Sequence, residues 1–154
     1  MNERVLTGFS VAAQEVFKLM LDVDTVAGLP EVKADKPDGQ DSITVKIGLT
    51  GDVSGSAYYH YPKETALEMV KIMSGMEIDE VDEFVTSAMG ELSNIISGNA
   101  LTGLSQQEIS CDILPPEILT GVDAAMERSA DGTGACNAGI HTTAGDMDLA
   151  VQTQ

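Results

Sequence analysis

The chain has 154 residues, 43% of them hydrophobic, with no Trp, three Phe and three Tyr, which supplies one core of Ile, Leu, Val, Ala and eight Met and too little for two domains. A net charge of −17, from 25 acids against 8 bases with no Lys or Arg between Lys71 and Arg128, excludes nucleic acid as a partner and discourages anionic membranes. No apolar run is long enough to span a bilayer or drive export, and Cys111 and Cys136 lack CxxC spacing or a nearby His, so a cytoplasmic protein with free thiols and no metal site is expected.

Residues 2–21 read as a helix, because Val5, Phe9, Ala12, Val16 and Met20 recur at helical spacing and Ala13 and Phe17 broaden the stripe. An extended segment follows over Val23 to Val32, and KADKPDGQD at 33–41 is turn chemistry between strands. Ser42 to Thr50 alternates, with Ile43, Val45, Ile47 and Leu49 on one face, and Gly51-Asp52 turns the chain into a second strand over Val53 to Tyr61. Gly48, Gly51 and Gly55 do not make a phosphate loop, since the GK[ST] ending and a following helix are missing.

Pro62 opens a helix over Lys63 to Ser74 that Gly75 closes, with Ala66, Met69, Val70 and Met73 as its buried stripe. Glu77, Asp79, Glu80, Asp82 and Glu83 then crowd the entrance of a long helix over Asp79 to Leu104, where negative charge suits the positive end of the helix dipole. Beyond it a short strand is expected over Ile109 to Leu114, ended by Pro115 and Pro116. Residues 124–138 are Gly-, Ser- and Ala-rich and read as a loop, and Gly139 to Thr143 and Met147 to Val151 form a last hairpin around 144–146. His60 and His141 fall singly on strands, a pattern of structural or exposed histidines. The fold class is α+β, a largely antiparallel sheet with long helices packed on one face.

The long helix carries a polar stripe. At about 100° per residue, with Ser87 at zero, Glu91 falls about 40° to one side, Asn94 about 20° to the other and Gly98 about 20° off, while Val85, Met89, Leu92 and Ile96 point the opposite way. On spacing alone the stripe is equally a solvated face without function. Asn94 is nevertheless an Asn inside a helix, and Gly98 removes bulk one turn on, so the face suits close approach by a partner.

The segment GELSNIISGNALTGL, with Ser87 four residues before Glu91 and Pro115 and Pro116 lying 21 and 22 positions beyond Asn94, resembles the signature of the CheC/CheX/FliY family of chemotaxis phosphatases. That signature is an Asp or Ser, then Glu, then Asn three residues later, with a proline a little over twenty residues on. ITVKIGLTGDVSGSAYYHYP and KETALEMVKIMSGME are similar to the family's hairpin and following helix, so the resemblance covers roughly residues 5–120. It implies a CheX/CheC-like fold and removal of phosphate from the aspartyl-phosphate of a CheY-type receiver domain. Glu91 and Asn94 would be the inserted catalytic pair, with Ser87 and Gly98 supporting them. Glu15 and Lys18 stand where a second Glu/Asn pair would need an Asn, which points to the single-site CheX-like branch and to a homodimer. No cofactor of its own is implied, and Mg²⁺ is expected on the partner response regulator.

The chemistry of the residues agrees. A neutral amide is no general base, but Asn94 can hold a water in line with phosphorus, and phosphoryl transfer rewards positioning over base strength. A carboxylate about 6 Å from a phosphoryl anion is repelled by roughly 3 kcal/mol at an effective dielectric of 20, so Glu91 should meet a cation of the receiver, its active-site Lys. The −17 charge gives no long-range attraction to an acidic receiver, which leaves binding to local complementarity. Two other readings use the same residues: a non-catalytic module that binds a response regulator or flagellar-switch protein, and a dimerisation domain with a vestigial stripe.

Overall fold

The computed structural model describes residues 2–30, 42–120 and 136–153. In chain order the elements are α1 (Asn2–Leu21), β1 (Thr25–Pro30), β2 (Ile43–Gly51), β3 (Gly55–Tyr61), α2 (Lys63–Ser74), α3 (Glu83–Gln106), β4 (Cys111–Ile113), β5 (Glu117–Thr120), β6 (Cys136–Thr142) and β7 (Gly145–Thr153). The strands form one antiparallel sheet in the order β1-β6-β7-β3-β2-β4, with β5 also on β2. The expected turn at 33–41 and most of the expected loop at 124–138 lie outside the described residues.

Alternation in β2 has the predicted outcome: Ile43, Val45, Ile47 and Leu49 are buried in the core shared with the helices. Register extends that face across the sheet, since Val45 pairs with Tyr59 and Tyr59 with Leu149, while Ala138 also pairs with Leu149. Val5, Phe9, Ala12, Val16 and Phe17 of α1, Ala66, Met69 and Val70 of α2, and Val85, Met89, Leu92 and Ile96 of α3 close the core from the helical side. Gly8 lets α1 approach α3, because a Cβ there would stand 3.2 Å from Leu104 Cδ2.

Several boundaries differ from the sequence reading. The long helix begins at Glu83, with the Asp82 carboxylate accepting from the Val85 N–H at 3.0 Å, so residues 79–82 are its approach. Ile78 and Val81 pack against the core from that approach. Met73, in the last turn of α2, is 36% exposed and lies outside the buried stripe; Gly75 closes the helix at φ 73°, as expected. The strand after α3 is shorter than Ile109 to Leu114, and a further strand, β5, was not expected. β4 and β5 share one edge of β2: β4 pairs with Leu49–Gly51 and β5 with Ile43–Lys46. The prolines between them have no N–H to offer and break the edge into two pieces.

His60 is buried, with Nδ1 2.9 Å from the Thr44 hydroxyl, and His141 is exposed, with Nδ1 2.9 Å from Asp146 Oδ1. Cys111 is a free, half-buried thiol, and burial together with Asp112 and Asp52 pushes its pKa up, away from reactivity. Among the described residues no helix is long and apolar enough to cross a membrane.

The β6–β7 hairpin turns onto the start of α2. Gly145 has φ +129°, and any Cβ on it would run into Thr65, whose hydroxyl donates to the Asp146 carbonyl at 2.7 Å. Gly145→Ala is therefore expected to cost about 2–4 kcal/mol of stability, from a disfavoured φ and an overpacked contact. Urea unfolding with a lowered midpoint and an unchanged slope is the check.

Candidate functional site

The polar stripe is presented by α3 as its spacing requires. Ser87, Glu91 and Asn94 are exposed, Gly98 is half-exposed, and Val85, Met89, Leu92 and Ile96 are buried behind them. Glu91 and Asn94 lie three residues apart and are therefore neighbours on the helix surface, with Cβ atoms about 5–6 Å apart. A Cβ at Gly98 would meet nothing within 4 Å, so the chain's own packing does not require a glycine there.

What holds this face outward lies on the other side of the helix. The Tyr61 hydroxyl is 2.9 Å from Ser93 Oγ, and the Tyr59 hydroxyl is 2.7 Å from Ser97 Oγ. Each serine donates one turn back, Ser93 to the Met89 carbonyl at 2.8 Å and Ser97 to the Ser93 carbonyl at 2.9 Å. With its proton committed, each serine oxygen accepts from its tyrosine. Two residues along a strand advance about 6.6 Å and four along a helix about 6 Å, so the two pairs engage together only at one axial position and rotation of α3. These serines stand about 40° and 80° from Met89 around the helix, and the sequence reading assigned them no role. The available signal was that Tyr59 and Tyr61 share the inward face of β3, where a buried phenol needs a partner.

A second support comes from the sheet edge. Gly90, just before Glu91, is buried, and a Cβ there would stand 3.2 Å from Ile118 Cδ1. The Pro115-Pro116 break thus delivers β5 against α3 beside the stripe. Neither Gly90 nor Ile118 was singled out in the sequence.

The corresponding place on α1 is different. Glu15 is exposed, and Lys18 is held 3.3 Å from Asp22 and 3.0 Å from Asp24, whose carboxylates raise its pKa. Among the described residues no three His, Cys, Asp or Glu side chains converge as a metal site. The stripe offers an amide, a carboxylate and a hydroxyl to an approaching surface, groups that can orient a bound water and pair with a partner's cation.

The profile of a family described as chemotaxis phosphatase CheX matches residues 43–137. The chain is 32% identical over 128 residues to the CheY-P phosphatase CheX of Thermotoga maritima, covering 82% of each protein. Among solved structures, the CheX of a CheX–CheY–BeF₃–Mg²⁺ complex from Borrelia burgdorferi is similar at a TM-score of 0.79 and 27% identity, covering 96% of each chain. A CheC-like superfamily protein from Shewanella sp. PV-4 shares the fold, with a TM-score of 0.82 at 22% identity over 100% of this chain and 99% of that one.

Burial pushes the pKa of Tyr59 and of Tyr61 above the usual phenol value of 10.0, against the opposing effect of the serine bonds. The folded state therefore binds more protons than the unfolded one at alkaline pH. Stability is complete below about pH 10 and falls as pH rises from there toward the folded values. Removing one partner should expose the same device at neutral pH: Tyr61→Phe and Ser93→Ala are each expected to cost about 1–2 kcal/mol, and the double variant less than their sum. Urea unfolding of the four proteins in the cycle measures that coupling.

Proposed function

This chain belongs to the CheX family of chemotaxis phosphatases, and from that membership we infer that it hydrolyses the aspartyl-phosphate of a CheY-type response regulator, ending a two-component signal. The observation that carries the reading is the outward stripe of α3 in which Glu91 and Asn94 stand side by side on a helix fixed from behind.

In the proposed step the partner supplies the phosphoryl group, its Mg²⁺ and an active-site Lys. Asn94 enters beside the phosphorus and accepts from and donates to one water, holding it opposite the aspartyl oxygen. The water oxygen bonds to phosphorus as the bond to the aspartyl oxygen breaks, giving inorganic phosphate and free aspartate. Positioning supplies most of the acceleration, because the transition state is loose. Glu91 pairs with the receiver's Lys, which orients the two proteins and keeps the carboxylate from opposing the phosphoryl charge. Ser87 borders the pair, and Gly98 leaves room for the partner's backbone one turn on.

We read the chain as one such domain acting in the cytoplasm with a single site, and as a homodimer. Support for the dimer is the family resemblance.

Asn94→Ala should reduce acceleration of receiver dephosphorylation by about 100-fold or more while leaving binding within a few-fold. The assay follows phosphate loss from the organism's receiver domains, each labelled by a small phosphodonor, alongside a binding measurement on the same receivers. Receiver binding without any acceleration by the wild-type protein would replace the enzyme with a binding module.

A further inference from the structure

All six aromatic side chains of the sequence are within the described residues, and five are buried or nearly so: Phe9, Phe17, Tyr58, Tyr59 and Tyr61. Phe84 is the exception, at 47% exposure in the first turn of α3. With Ser87 at zero it projects at about 60°, only about 20° from Glu91 and about 10 Å from it along the axis. Ala88 follows one turn on, at about 100°, and Ile95, 36% exposed, stands at about 80°, about 40° from Glu91 and one turn beyond it. Phe84 and Ile95 thus form an exposed apolar row alongside the polar stripe, with Ala88 between them half-buried against the core.

We propose that this row is the docking surface for the phosphorylated receiver domain, with Phe84 as its anchor; the proposal rests on the function inferred above. If Glu91 and Asn94 reach the receiver's phosphorylation pocket, the area covered around them is fixed by size. A specific interface takes about 800 Å² from each partner, a disc of about 16 Å radius, and Phe84 and Ile95 fall inside it when the centre lies at Glu91 or midway between Glu91 and Asn94. Exposed acids cannot supply affinity for an acidic partner over distance, whereas a buried aromatic can do so locally. The receiver that fits carries an apolar depression about 10 Å from its active-site Lys, and next to it positive charge to face Glu83 and Asp82, which are exposed at the same end of the helix. Phe84 would therefore choose among receivers that share the same phosphorylation chemistry.

The test is steady-state dephosphorylation of the receiver that the wild-type protein turns over, with Phe84→Ala, Phe84→Leu and Ile95→Ala, plus sedimentation of each variant. Phe84→Ala is expected to raise KM about 10-fold or more with kcat within about 2-fold, Ile95→Ala to raise it less, and Phe84→Leu to recover most of the loss. An unchanged KM, or equal losses in kcat and kcat/KM, overturns the docking role while wild-type turnover keeps the phosphatase reading. A variant that changes oligomeric state, with KM following that change, assigns the row to a second copy of the chain and also overturns it. If the wild type accelerates no receiver, the underlying function fails first, and that is seen before any variant is compared.

Discussion

The orientation of the outer face of α3 depends first on two hydrogen bonds on its inner face. Aliphatic contacts, such as those of Met89, Leu92 and Ile96, are non-directional and fix a helix's position on a sheet only through shape. Directional bonds do not tolerate a shift. The Tyr59–Ser97 and Tyr61–Ser93 pairs link neighbouring inward positions of β3 to successive turns of α3. The tyrosine rings stack at 6.5 Å and 8°, so the two hydroxyls are presented side by side from one rigid block. Slippage would leave two buried phenols unpaired, each costing about 1–3 kcal/mol. The core residues set how strongly α3 binds, and the four polar atoms set where.

Much of this was legible because the signals were local. The period-2 run in β2, the boundaries of α1, and the Pro62 and Gly75 stops of α2 follow from side chains within a few residues. The stripe of Ser87, Glu91 and Asn94 follows from helical geometry once the buried row is recognised. What escaped depends on partners far away in sequence. β5 is four residues long, flanked by Pro116 and Gly121, and is a strand because β2 offers it an edge more than seventy residues earlier. Ser93 and Ser97 look like ordinary surface residues until Tyr61 and Tyr59 are placed beneath them, 32 and 38 residues back. The start of α3 was placed too early, at Asp79, for a similar reason: Asp82 caps the helix, and Ile78 and Val81 of the approach pack against a core assembled from distant elements.

The proline pair joins the sheet to the site. In the sequence it is only a distance, 21 and 22 residues beyond Asn94. In the fold it interrupts the edge of the sheet after Leu114, whose N–H still bonds the Gly48 carbonyl at 2.9 Å, and restarts the pairing at Glu117. That restart carries Ile118 onto Gly90, the residue before Glu91. The stripe is thus braced from behind by tyrosines and from the side by an edge strand.

A face so held needs little chemistry of its own. Asn94 is uncharged, Glu91 is a carboxylate that would repel a phosphoryl group, and the chain's charge of −17 adds nothing favourable at a distance. In the proposed mechanism such groups become catalytic only when another protein supplies the phosphoryl group and the cations, and when the helix delivers the Asn94 amide to within a hydrogen bond of one water. Misplacing that amide by about 1 Å is worth about 100-fold in rate, which is the scale on which two phenol–serine bonds matter. The investment of this fold is accordingly in rigidity, and the division of labour explains how so acidic a chain can act on an anionic group: it contributes the geometry, and its partner contributes the charge.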